Sequence, residues 1–240
     1  MTTSTHTHDR RTERRQTHAT DRAILFDMDG VILEGWGTDP SVHAQALEDA
    51  LVDFEVGHAV LDDERTRAPL ETYEYTDGFA AACETIGVDP VEFYAVRESY
   101  SASRAIHRLE DGERGLYPDV EALETLARET SLALVSNNYD PTVAFVVEHF
   151  DLDIFSFVRG RDLGLEGFER RKPEPYYLEE ALSALEVSGG LYVGDRETDL
   201  LAAERAGLEP VLIRREHNGH LEPTGVFEEV RSLSALTTLL

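Results

Sequence analysis

Short apolar runs, each closing on a polar tip, constrain this chain more than any other feature. Ala23-Ile24-Leu25-Phe26 is the first, and others follow at Leu132-Ala133-Leu134-Val135, Phe155-Ser156-Phe157-Val158, Leu191-Tyr192-Val193 and Val211-Leu212-Ile213. Continuous runs of this length fit strands buried on both faces, the usual pattern of a parallel sheet. Between them, apolar positions recur at helical spacing, as in Val120, Leu123, Leu126 and Ala127, and again in Leu178, Ala181, Leu182 and Leu185. Strands alternating with helices predict an α/β fold, a doubly wound parallel sheet with helices on both faces. Asp140-Pro141 predicts a helix start, with an acceptor at the N-cap and proline at the first helical position.

One stretch breaks the alternation. From about Glu34 to Gly115 the sequence has helical runs but no convincing central strand, and two of them open with Asp-Pro, at Asp39-Pro40 and Asp89-Pro90. A structureless loop of that length is unusual in a compact domain. Residues 34–115 are therefore expected to form an inserted, mainly helical cap domain, with 21–33 and 116–240 making the core. Residues 1–20 are polar and lack apolar periodicity, so a disordered tail is expected there, with His6, His8 and His18 solvated.

The net charge of −26, from 48 acidic against 22 basic residues, argues against polyanionic partners. Nucleic acid and anionic membrane surfaces are both disfavoured. Lys172 is the only lysine in the chain. An acidic, lysine-poor surface suits a halophilic source with concentrated cytoplasmic salt, and an arginine-favouring GC-rich genome would push the same way. With one cysteine, Cys83, neither an intrachain disulfide nor a cysteine-built zinc site is possible. No apolar run approaches a membrane span and the N-terminus lacks a signal-peptide core, so a cytoplasmic protein is expected.

The chemistry sits on the strand tips. Asp27 and Asp29 flank Met28 at the end of the first run, so on an extended chain they face the same way, and Gly30 lets the backbone turn close to a ligand. One carboxylate can attack phosphorus while the other handles the proton of the departing alcohol. Alone, the motif reads equally well as a strand-ending turn. Ser136-Asn137-Asn138 offers a hydroxyl and amides for phosphoryl oxygens, although an ordinary polar turn looks the same. Lys172, between Arg171 and Pro173, offers a point cation where arginine is otherwise used throughout. Asp195 and Asp199, following Gly194, could join Asp27 around Mg²⁺, a hard ion that prefers oxygen donors. A capped helix start explains Thr198 but not the aspartate pair.

Taken in order, these four segments resemble the signature motifs of the haloacid dehalogenase-like (HAD) hydrolases, in particular the phosphoglycolate phosphatase-like members with a helical cap. The resemblance covers about Ala23 to Ile213. It implies a Rossmann-like core and a Mg²⁺-dependent phosphatase acting on a small phosphorylated metabolite through an aspartyl phosphate. Asp27 would be the nucleophile, Asp29 the general acid/base, and Gly30, Ser136, Asn137 and Lys172 would serve the phosphoryl group. Asp27, the backbone carbonyl of Asp29, and Asp195 would hold the metal, with Asp199 acting through water or by orienting the ligands. Trp36, Tyr73, Tyr75, Arg97 and Arg104 of the cap are open as specificity contributors.

Two other functions remain in view. A phosphomutase of the same fold would share Asp27, Asp29 and the metal site and could use His43, but Gly194-Asp195 lacks the Glu-Asp pair typical of such enzymes. A non-catalytic binding protein on this fold usually betrays itself by a lost carboxylate, and none of the expected positions has lost one.

Overall fold

A computed structural model describes residues 21–57 and 63–240. The expected tail over 1–20 lies outside the described residues. Strands β1 (Arg22–Phe26), β2 (Ser131–Tyr139), β3 (Phe157–Arg161), β4 (Gly189–Gly194), β5 (Glu209–Ile213) and β6 (Glu228–Val230) form a parallel sheet in the order β3-β2-β1-β4-β5-β6. The first strand lies at the centre, and the chain winds outward from it in both directions.

Alternation along each strand sorts its side chains into two cores. Ile24, Phe26, Leu132, Leu134, Leu191 and Val193 pack on one face with Val143, Val146, Leu123 and Leu126. Ala23, Leu25, Ala133, Val135 and Tyr192 pack on the other with Leu178, Ala181, Ala202 and Ala203. The third run enters the sheet two residues later than expected. Phe155 leaves the strand and packs edge-on against Phe26, with ring centroids 6.1 Å apart. The short edge strand β6 had no apolar signal, since it carries Glu228 and Glu229.

The insertion is helical among its described residues: α1 (Pro40–Asp53), α2 (Glu64–Glu71), α3 (Asp77–Ile86) and α4 (Pro90–Glu110). Leu47, Leu51, Leu70, Phe79, Cys83, Phe93 and Tyr94 give it a core of its own. Asp39 and Asp89 cap α1 and α4 as their sequence suggests, accepting from Ser41 N and Glu92 N. Asp140 departs from that pattern. It is the first residue of helix α6 (Asp140–His149), and its carboxylate accepts from Gly160 N at 2.8 Å, tying the helix to β3 instead of capping it.

The chain leaves and re-enters the core side by side: Glu34 N donates to Gly115 O at 2.8 Å and Tyr117 N to Ile32 O at 3.0 Å. A second connection is buried. Arg161 at the end of β3 and Glu98 on α4 form a bidentate pair, at 2.5 and 3.1 Å, with side-chain exposures of 0% and 1%.

Candidate active site

Parallel strands present their C-terminal ends at one edge, and there the tips of β1, β2 and β4 converge with the segment around Lys172. The Lys172 ammonium sits 3.0 Å from Asp27 Oδ1, 2.6 Å from Asp199 Oδ1 and 2.6 Å from the Tyr192 hydroxyl oxygen. Tyr192 in turn donates to Val135 O at 2.8 Å, so its lone pair is turned towards the ammonium. An ammonium has three donors, and all three directions are occupied. Burial pulls the Lys172 ammonium down, but the carboxylates of Asp199 and Asp27 outweigh it and hold the group above its ordinary value.

Asp27, Asp195 and Asp199 are buried and can place one oxygen each within 4.8 Å of the others. Both Asp199 oxygens are engaged. Oδ1 faces Lys172, and Oδ2 accepts from Asp195 N at 3.1 Å and Arg196 N at 3.0 Å. Asp199, not Thr198, therefore satisfies the free N–H groups at the start of helix α9, here numbered after α5 (Leu123–Glu129), α7 (Leu165–Glu169) and α8 (Tyr176–Leu185), and spanning Glu197–Arg205. Asp195 Oδ1 is buried without a hydrogen bond, and Asp27 Oδ1 is buried with the Lys172 ammonium 3.0 Å away. Desolvation first, then repulsion from Asp199 and Asp27, pushes the Asp195 carboxyl up to about 8. Three clustered carboxylates, with the Asp195 Oδ1 lone pairs unused, fit a hard divalent cation, which would supply further positive charge.

The remaining expected residues are nearby, but several are held differently from the sequence expectation. Asp29 meets Arg114 Nη2 at 2.7 Å and accepts from Asn138 Nδ2 at 3.0 Å. Arg114 also donates to Glu34 O at 2.7 Å, so it joins this carboxylate to both cap linkers. Gly30 was expected to bind phosphate, but its N–H is used by Leu33 O at 2.9 Å. Its importance is steric: φ is +75°, and a Cβ there would lie 2.3 Å from Asp195 Oδ2. The Asn137 side chain is likewise committed, accepting from Lys172 N at 2.8 Å and donating to Lys172 O at 3.0 Å. It fixes the lysine backbone against β2. Ser136 is buried beside the cleft, within the longer-than-expected β2, whose pairing with β3 is interrupted between Val135 and Tyr139.

A cleft of about 400 Å³ opens over these groups, with Asp27, Asp29, Ser136 and Lys172 at its base and Trp36, His43, Tyr73, Glu74, Arg171 and Arg196 above. A larger cavity of about 780 Å³ lies behind Asn138 between the linkers and α4, but neither Asp27 nor Lys172 reaches it. Of the cap residues left open by the sequence, Trp36 and Tyr73 line the cleft. Arg97 instead binds the carbonyls of Leu70, Thr72 and Tyr73. Arg104 pairs with Asp49, and Tyr75 packs on Phe79 and Tyr94 within the cap.

His43 lies on the cap side of the cleft, its Nδ1 3.2 Å from Ser101 Oγ. Burial first, then the Arg97 and Arg161 guanidiniums, pushes its imidazole down to about 4. An NMR pH titration should keep this ring neutral until the pH approaches that value, and an ordinary midpoint near 6.5 would refute the burial. Because the unfolded chain takes up this proton first, the same shift removes stability as the pH falls from 6.5 towards 4.

Sequence reasoning passed over Tyr192, Arg114 and His217, and offered the Asn138 amide to a phosphoryl oxygen where the fold turns it onto Asp29. A tyrosine inside a buried strand needs a partner for its hydroxyl, which was a usable signal for Tyr192. Arg114 and His217 reach their aspartates only in the folded chain. Burial first, then the Arg196 and Arg215 guanidiniums, pushes His217 below its ordinary value.

The family model for haloacid dehalogenase-like hydrolases matches residues 22–207. A phosphoglycolate phosphatase of Rhodobacter capsulatus is 34% identical over 197 residues, 79% of this chain and 83% of that protein. One from Pseudomonas fluorescens strain Pf0-1 is 26% identical over 227 residues, 88% of this chain and 78% of that protein. Among solved structures, CbbY from Rhodobacter sphaeroides in complex with phosphate superposes with a TM-score of 0.62 at 21% identity, covering 90% of this chain and 96% of that one. A mutant of CbbY in complex with xylulose-(1,5)bisphosphate gives 0.59 at 19%, again covering 90% of this chain and 96% of that one.

Proposed function

The chain belongs to the haloacid dehalogenase-like hydrolase family, and from that premise we propose a Mg²⁺-dependent phosphatase that cleaves a small phosphomonoester through an aspartyl phosphate on Asp27. The observation that carries this reading is the Asp27–Lys172–Asp199 arrangement beside the unpartnered Asp195 Oδ1. It combines a nucleophile, a fixed cation and a place for a second cation. Asp27 and Asp195, with the Asp29 carbonyl, would hold Mg²⁺, and Asp199 would orient them. Residues 21–33 and 116–240 are the catalytic core in this reading, and 34–115 the cap.

Held by these residues, such an ion would neutralise charge on the phosphoryl oxygens and so reduce repulsion between substrate and nucleophile. Asp27 attacks phosphorus in line with the ester bond, which breaks as Asp29 gives its proton to the departing alkoxide. Water then attacks the same phosphorus and passes a proton to Asp29, releasing inorganic phosphate and restoring the Asp27 carboxylate. Lys172 holds Asp27 in place while Ser136 and neighbouring main-chain amides face the phosphoryl oxygens. The cap excludes water and contacts the rest of the substrate through Trp36 and Tyr73, with Arg171 of the core beside them. Phosphoglycolate heads the substrate list, because it is the substrate named for the curated relatives.

The direct test is phosphate release from phosphoglycolate, sugar phosphates and nucleoside monophosphates in high potassium chloride, with Mg²⁺ and then with chelator. Release that chelator abolishes and Mg²⁺ restores is expected. Release unaffected by chelation would remove the metal from the mechanism, and none at all from folded protein would favour the mutase or non-catalytic reading.

A further inference from the structure

We infer that His217 is a positioning residue for the divalent-cation site, turning the Asp195 carboxylate so that Oδ1 alone faces the ion. His217 Nε2 lies 2.6 Å from Asp195 Oδ2, while Oδ1 of the same carboxylate is buried with no hydrogen bond. The two oxygens are thus sorted, one used by the protein and one left for the cation. A six-coordinate ion that keeps several waters is served by a single oxygen from each carboxylate. Without a partner on Oδ2, the carboxylate could rotate towards Arg196, whose Nε is already 3.6 Å from Oδ1.

The segment carrying His217 is built to hold this position. Asn218 Nδ2 donates to Asp195 O and Ile213 O, both at 2.9 Å, and Asn218 Oδ1 accepts from Arg215 N at 2.8 Å. Arg215 is fixed by two bonds to Asp119, at 2.9 and 3.0 Å, and by Val31 O at 2.9 Å. The Tyr117 hydroxyl lies 3.5 Å from His217 Nδ1, and with that hydroxyl as donor the ring's hydrogen falls on Nε2, where Asp195 accepts it. Gly30 makes the contact possible, since a Cβ at its position would stand 2.9 Å from His217 Nε2.

The inference rests on the metal-dependent reading above. Hydrogen-bonded partners of metal ligands are typically worth about 10–100-fold in metal affinity. The test is binding of Mn²⁺ alone, followed by the electron paramagnetic resonance of the free ion, in wild type, His217→Ala and His217→Gln. Gln can place an N–H where Nε2 stood. His217→Ala should weaken Mn²⁺ binding by roughly 10-fold or more, and His217→Gln should recover most of it. Turnover of His217→Ala should approach wild type once metal is saturating. Unchanged affinity in His217→Ala, or equal weakening in both variants, would overturn the positioning role. If Ala proves too unstable to study, Gln against His217→Leu makes the same comparison. Wild type that binds no Mn²⁺ would instead overturn the metal-dependent reading itself.

Discussion

Asp27→Asn should abolish turnover, with kcat falling on the order of 10⁴-fold or more, as expected when the attacking group itself is removed. The substitution keeps the volume of the side chain and removes its charge, and with it the ability to form an acyl phosphate. It should also leave the fold intact. In the ion-free protein three buried carboxylates crowd together, and Asp27 is among the charges that push Asp195 up to about 8. Neutralising Asp27 relieves that crowding and leaves the 2.6 Å Lys172–Asp199 pair in place. Thermal melting without metal should therefore be no lower than wild type. Acid-quenched wild type should carry a hydroxylamine-sensitive phosphoryl group that the variant lacks. Substantial phosphate release by a variant that is never phosphorylated would overturn Asp27 as nucleophile.

Lys172→Arg, usually considered conservative, should lower kcat by about 10²–10³-fold, the scale of losing one fixed electrostatic contact to the reacting group. The physical reason is shape. Asp27, Asp199 and Tyr192 surround a small ammonium, whereas a guanidinium is planar, broader and presents five donors in a fork. Fitting it into a side-chain site only 3% exposed requires the three partners to move, and overpacking of this kind costs about 1–3 kcal/mol. Lys172→Met separates charge from shape. It should destabilise the protein by about 3–5 kcal/mol in chemical denaturation, since it leaves buried carboxylates without their cation. Wild-type rates in Lys172→Arg would mean that only charge is required, and that the chain's sole lysine is an accident of composition.

The alternation of apolar runs and helical patterns made the sheet and its helices legible, because the middle of each central strand is buried on both faces and carries an unbroken apolar run. The same logic failed at the margins. β6 offers only three residues with two glutamates, and Phe155 is apolar because it packs against Phe26, not because it is in a strand. Within the site, the motifs identified which residues gather but not which of their atoms are free. Gly30 N–H, the Asn137 amide and both Asp199 oxygens were all available on paper, and the fold spends them on Leu33, Lys172 and the start of a helix. Long-range partners such as Arg114 on Asp29 and His217 on Asp195 leave no local spacing to read.

The buried Arg161–Glu98 pair has a consequence for how such an enzyme can change its substrate. Because one partner belongs to the strand and the other to α4, the cap is not a free cartridge. A foreign cap lacking an acid at this position would strand a fully enclosed guanidinium, at a cost of about 3–5 kcal/mol, a large share of the stability of an ordinary domain. New specificities are therefore more accessible by altering the exposed rim of the cleft, around Trp36, Tyr73 and Arg171, than by exchanging whole caps between lineages. Ancestry in the cap and in strand β3 should then be traceable as a single inheritance.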